Sequence, residues 1–167
     1  MHHKILSLSE LRNRNASIQE RNGSLVLTNG CFDLLHVGHT RYLRAARALG
    51  TDLAVAVNSD DSVRALKGEG RPLNSQDDRA EVLAALESVD FVVIFDGATA
   101  VDVVAAVQPA IYVKGGDYSS SVDDDSFPPE GHVVRAYGGQ VVILPYFAGY
   151  STTSLIEALA AGAHPAR

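Results

Sequence analysis

The feature that most constrains this chain is a set of short apolar runs separated by helical stretches and glycine-bearing turns. Ser24-Leu-Val-Leu-Thr28, Leu53-Ala-Val-Ala-Val57, Phe91-Val-Val-Ile-Phe95, Ile111-Tyr-Val113 and Val141-Val-Ile-Leu144 are such runs. A strand that is apolar throughout must be covered on both faces, which is the condition of a parallel sheet lying between helices. The intervening segments carry helical signals. Val37 to Leu49 is followed by Gly50, a natural C-cap, and Ala100 to Val107 is stopped by Pro109. Gln76 to Ser88 carries Val82, Leu83 and Leu86, with Val89 beyond, at helical spacing. Lys4 to Glu20 reads as a helix packed outside the sheet, and Ser151 to Ala161 as a closing helix. The expectation is one α/β domain over residues 1–167, a doubly wound, five-stranded parallel sheet of Rossmann-like type.

In such a sheet, ligands bind outside the carboxyl ends of the strands, near the switch in strand order. The loops after Thr28, Val57, Phe95, Val113 and Leu144 are therefore the places to look. Two loops are long. Asp60 to Asn74 has room for a helical turn; Asp117 to Gly131 holds Ser119-Ser-Ser121, Asp123-Asp-Asp125 and Pro128-Pro129. Loops of this size serve as lids or are disordered, and the acidic, serine-rich one has the composition of a mobile segment.

Composition narrows the function classes. A net charge of −6 argues against a broad nucleic-acid surface but not against a small-anion site. Cys31 is the one cysteine, so no internal disulfide forms. No apolar run approaches the ~20 residues of a membrane helix. The first ten residues lack the apolar stretch of a signal peptide. A cytoplasmic protein without membrane or nucleic-acid partners is expected, and its alanine-rich helices offer faces for a homodimer.

The chemistry-bearing residues fall on the ligand edge. The first strand runs into Thr28-Asn-Gly-Cys-Phe-Asp-Leu-Leu-His-Val-Gly-His39. His36 and His39 stand one turn apart at a helix start, where unpaired N–H groups and the helix dipole favour anions. Gly30 and Gly38 let phosphates approach the backbone closely. Two imidazoles there could donate to phosphoryl oxygens as charge develops. A polar surface pair, or a zinc site that would need further ligands, are the competing readings. At the other end, Gly149-Tyr-Ser-Thr-Thr-Ser154 opens the last helix, and Ser151, Thr152 and Thr153 add hydroxyls to its free N–H groups. A plain capped helix start is the alternative. Lys67 and Arg71 lie among glycines in Lys67-Gly-Glu-Gly-Arg-Pro-Leu-Asn74, either as a solvated loop or as a closing clamp on a triphosphate. Arg79, near the start of the second sheet-covering helix, could hold an acceptor phosphate or simply lie at the surface. Lys114-Gly-Gly-Asp-Tyr118 follows a buried strand directly. Its glycines would admit a base or ribose and its lysine would add charge, unless it is merely a turn.

Gly-Cys-Phe-Asp-x-x-His-x-Gly-His resembles the HxGH motif of the cytidylyltransferase-like nucleotidyltransferases, and the Ser-Thr-Thr segment resembles their second phosphate-binding element. The resemblance implies that His36 and His39 contact the triphosphate, with Lys67 as a third catalytic residue. It implies nucleotide contacts for Thr28, Gly30, Cys31, Phe32, Asp33, Gly38, Arg71, Lys114, Gly115, Asp117, Ser151, Thr152 and Thr153, and acceptor contacts for Asn58 and Arg79. Along Leu6 to Ala160 the chain is similar to one branch, the adenylyltransferase domain of ADP-heptose synthesis. Leu66-Lys-Gly-Glu-Gly-Arg-Pro72 and Val113-Lys-Gly-Gly-Asp-Tyr118 carry that likeness, with Val57-Asn58, Asp78-Arg79 and Leu83-Ala-Ala-Leu86. The branch implies transfer of AMP from ATP to D-glycero-β-D-manno-heptose 1-phosphate, with Mg²⁺ held mainly by the ATP phosphates and no protein metal site. It also implies partnership with a sugar kinase, which this chain lacks. Glycerol-3-phosphate cytidylyltransferases carry an arginine shortly before their Ser-Thr-Thr; Pro145-Tyr-Phe-Ala-Gly149 has none, which favours ATP over CTP. The segment Ser119 to Pro129 is longer and more acidic than that branch leads one to expect. A glycerol-3-phosphate cytidylyltransferase, an FMN adenylyltransferase, and a nucleotide-binding module without turnover remain as alternatives.

Overall fold

The computed structural model describes residues 3–116, 118–145, 152, 155–157 and 161–162. The chain runs α1 (Leu8–Glu20), β1 (Leu25–Gly30), α2 (Val37–Arg47), β2 (Asp52–Asn58), α3 (Asp60–Lys67), α4 (Gln76–Ala84), β3 (Phe91–Phe95), α5 (Val101–Val107), β4 (Ile111–Gly115), α6 (Pro129–Ala136) and β5 (Gln140–Leu144). The five strands form one sheet in the order β3-β2-β1-β4-β5, and every pairing is parallel. The doubly wound expectation holds.

Alternation along the strands sorts the core into two layers. Leu25 and Leu27 of β1, Ala54 and Ala56 of β2, and Tyr112 of β4 face α1, α5 and α6 through Leu11, Ile18, Val104 and Val134. Val26, Leu53, Val55, Val57 and Val113 face the other way, against Leu43 and Ala46 of α2 and Ala80 and Leu83 of α4. Burial on both sides explains why β2 is buried at all seven positions.

Several boundaries differ from the sequence reading, the larger ones as follows. The first helix starts at Leu8, not Lys4, because Ser7 and Glu10 form a reciprocal capping box. Lys4 to Leu6 instead run beside Val92 with backbone hydrogen bonds in both directions. The segment read as a helical turn is the full helix α3, capped by Ser59. The helix beginning at Gln76 ends at Ala84, short of Ser88. The acidic loop gives way to α6, whose Pro129 occupies the first turn, a position where the missing N–H costs nothing. Before it, Asp124 accepts from the backbone and hydroxyl of Ser126, and Phe127 is buried. Most of the expected closing helix lies outside the described residues; Thr152 and residues 155–157 are helical.

Candidate active site

β1 and β4 are adjacent, and β1 is where the strand order turns back. Their last residues, Gly30 and Gly115, therefore open onto the crevice of the fold. From Gly30 the chain bends through Phe32, which takes a left-handed φ of 47°. Its ring folds back so closely that a Cβ on Gly30 would stand 3.0 Å from it. The same ring lies 5.4 Å from that of His39.

His36 immediately precedes α2 in extended conformation, and no side chain caps that helix end. His39 follows one turn later, its amide donating to the His36 carbonyl at 2.9 Å. The two imidazoles stack, centroids 3.9 Å apart and planes 26° from parallel. Gly38 is buried between them in sequence. Burial, and then the charge of its neighbour His36, push the His39 pKa down to about 4; burial also lowers that of His36. Both rings are thus neutral at neutral pH. Among the described residues His39 Nδ1 is buried and has no hydrogen-bond partner. A neutral imidazole can give one N–H to an anion and gain a second by taking up a proton.

The loop from α3 to α4 is tied to this segment by Asp33. Its carboxylate accepts from Arg71 Nε at 2.7 Å and from the backbone N–H groups of Leu73 and Asn74. Burial works against that charge, but the Asn74 and Leu73 amides and the Arg71 guanidinium outweigh it and hold the carboxyl below its usual range. Asp33 thereby holds a backbone turn. Lys67, the exposed last residue of α3, leads into Gly68 and Gly70, whose φ of 90° and 84° require glycine. Burial raises the Cys31 thiol, while Lys67, Arg79 and Arg71 are close enough to oppose it.

Two residues read as acceptor ligands have other partners. Arg79 is 2% exposed and donates to Asn74 O, Cys31 O and Asp60 Oδ1. These three bonds join the β1 loop to α3 and α4. Asn58 is buried too, its amide nitrogen donating to Ser62 Oγ and Gly97 O. Both amide N–H groups of Asn58 are therefore taken, and each nitrogen of Arg79 already donates once within the protein. Thr28 is likewise internal, its hydroxyl 2.7 Å from that of Tyr42, which also donates to Val113 O. Tyr42 lies against Gly115, where a Cβ would stand 2.9 Å from its ring.

Lys114 stands on the far side of the crevice. It donates to Asn29 Oδ1 at 3.0 Å and to the Tyr112 hydroxyl at 3.4 Å, and lies 5.2 Å over the Tyr118 ring. From the C-terminal segment, Thr152 donates its hydroxyl to Leu34 O at 3.4 Å, which brings that segment onto the imidazole-bearing loop. Asp117, Ser151 and Thr153 lie outside the described residues. Among the described residues, no three His, Cys, Asp or Glu side chains converge as metal ligands. Sequence reasoning passed over Tyr42, Asn29 and Glu130. Asn29 stood within the motif itself, whereas Glu130 sat in a segment whose composition suggested only mobility.

The fold and the motif-bearing crevice define a class: the chain belongs to the cytidylyltransferase-like family, whose model matches residues 27–158. More particularly, it is 50% identical over 158 residues to the Bifunctional protein HldE of Methylococcus capsulatus, covering 94% of this chain and 32% of that protein. It is 46% identical over 154 residues to the Bifunctional protein HldE of Geobacter sulfurreducens, covering 92% of this chain and 30% of that one. The chain thus spans about a third of the length of the curated relatives it matches. Among solved structures, the lipopolysaccharide core biosynthesis protein from Thermoplasma volcanium superposes with a TM-score of 0.59 at 26% identity, over 74% of this chain and 96% of that one. The family resemblance carried by the two motifs is borne out. No helix among the described residues is long and apolar enough to cross a membrane.

Proposed function

We propose that the chain is a nucleotidyltransferase that moves AMP from ATP to a sugar 1-phosphate, D-glycero-β-D-manno-heptose 1-phosphate, giving ADP-heptose and pyrophosphate. One observation carries the reading: two stacked imidazoles, His36 and His39, stand at an uncapped helix start on the switch-point edge, with Thr152 reaching the same loop. The identity to HldE proteins supports the choice of branch, and the structural relative named for lipopolysaccharide core biosynthesis is consistent with a heptose acceptor.

In this reading the acceptor's phosphate oxygen attacks the α-phosphorus and pyrophosphate leaves in line. A sugar phosphate is largely dianionic near neutrality, its second pKa being about 6. It needs no general base, and catalysis is positioning plus charge neutralisation. His36 and His39 donate to the α-phosphate as its charge grows. Lys67, Arg71 and the Ser151–Thr153 segment hold the β- and γ-phosphates, while Gly30, Cys31, Phe32, Gly38, Lys114, Gly115 and Asp117 line the nucleotide. Mg²⁺ is carried by the triphosphate oxygens. The spent carboxylate of Asp33 fits a metal held by substrate rather than by protein. The enzyme works in the cytoplasm beside a sugar kinase that supplies its acceptor.

The test is pyrophosphate release with ATP or CTP against heptose 1-phosphate, glycerol 3-phosphate and FMN. Turnover is expected with ATP and heptose 1-phosphate. Faster turnover with another pair would reassign the substrate, and ATP binding without turnover on any acceptor would leave a binding module.

A further inference from the structure

Glu130 is a buried charge that the mechanism leaves unused. It sits in the first turn of α6, its side chain 1% exposed. One oxygen, Oε1, accepts from Ala100 N at 2.9 Å and lies 3.8 Å from Lys114 Nζ. Ala100 is the N-cap residue of α5, an N-terminal end with no side-chain cap of its own. The other oxygen, Oε2, is buried and accepts no hydrogen bond of good geometry among the described residues, although the Tyr112 hydroxyl lies close enough to the carboxylate to interact with it. Closing the N-terminus of α5 needs only an acceptor, which a neutral amide would supply. A full carboxylate with an orphaned oxygen is costly to bury unless its charge is used. Among the described residues the cation it meets is Lys114.

We propose that Glu130 is a positioning residue that acts through Lys114: anchored on Ala100 and sealed from solvent, its carboxylate fixes the Lys114 ammonium at the edge of the sheet where the nucleotide sits. The proposal rests on the reading that Lys114 serves the nucleotide. Its geometry is that of a held donor. Asn29 Oδ1 takes bonds from both the Tyr112 hydroxyl, at 2.6 Å, and Lys114, so the lysine has one seat between β1 and β4. Burial disfavours the ammonium first of all; Glu130 and then Cys31 favour it, and the Tyr112 and Tyr118 rings face it.

The experiment measures ATP affinity from pH 6 to about pH 10 for the whole chain and for Glu130→Gln, Glu130→Asp, Lys114→Met and the Glu130→Gln/Lys114→Met double variant, with thermal unfolding of each. Glutamine keeps the reach to Ala100 and loses the charge; aspartate keeps the charge and loses the reach. The wild-type chain should lose affinity on its alkaline limb as Lys114 deprotonates. Glu130→Gln should move that limb down by about one pH unit, since two charges this close interact by at least that much. Glu130→Asp should fall between, and the double variant should match Lys114→Met. A glutamine variant that titrates like wild type while aspartate does not would reduce Glu130 to a cap. Additive losses in the double variant would show that it acts independently of Lys114. Unchanged affinity and pH dependence in Lys114→Met would instead remove Lys114 from the nucleotide site, a failure of the underlying reading.

Discussion

His39 is packed where an imidazolium is unwelcome, against His36 and the Phe32 ring. That placement makes it an N–H donor that does not repel its neighbour before an anion arrives. His39→Ala should keep the fold and lower kcat by at least ~10²-fold, the usual scale for one transition-state donor; near-normal turnover would remove it from the chemistry. A second consequence concerns stability. The folded pKa of about 4 lies below the 6.5 of a free imidazole. Below 6.5 the unfolded chain takes up a proton that the folded ring refuses until about 4, so the contribution of His39 is whole above that window and is lost as pH falls through it. Urea midpoints of the wild-type chain should drop across this range, and His39→Gln should flatten the slope. Equal slopes in the two proteins would contradict the depressed pKa.

At the scale of elements, the α3–α4 loop is held by a carboxylate instead of by packing. Asp33 collects Arg71, Leu73 N and Asn74 N, and Arg79 fastens Asn74 O to Cys31 O. The loop that carries Lys67 and Arg71 is thereby registered against the loop that carries the imidazoles. Asp33→Ala would strand a guanidinium and two amides around a side chain that is 1% exposed, a loss of about 3 kcal/mol. It should also raise the ATP KM, because Arg71 would lose its anchor. Chemical denaturation and steady-state kinetics measure the two effects. A stability loss with unchanged KM would mean that the loop's register does not matter to the nucleotide.

For the whole molecule, the sheet order puts β1 and β4 side by side although many residues separate them. That adjacency creates the crevice, and it gathers the Cys31 loop, Lys114 and the Thr152 segment onto one edge. On the proposed function the acceptor's own phosphate is the nucleophile, so incubation with ATP and heptose 1-phosphate should yield pyrophosphate and incubation with ATP and the free heptose should yield none; pyrophosphate from the free sugar would overturn that role for the acceptor phosphate.

The apolar runs gave away the strands because a strand buried on both faces leaves no room for polar residues, and their alternation with helices implied a parallel sheet. The HxGH and Ser-Thr-Thr patterns marked the family because phosphate binding demands particular residue types at a helix start. What remained hidden was partnership. Arg79, Asn58 and Asp33 look like ligand-binding groups by type, yet the fold gives each of them partners within the protein, and that depends on contacts between segments distant along the chain. Glu130 sat within an acidic stretch whose composition suggested a mobile segment. Only the packing of α6 against α5 and β4 places it beside a lysine, because burial and charge pairing are settled by what a side chain meets in space and not by its neighbours in sequence.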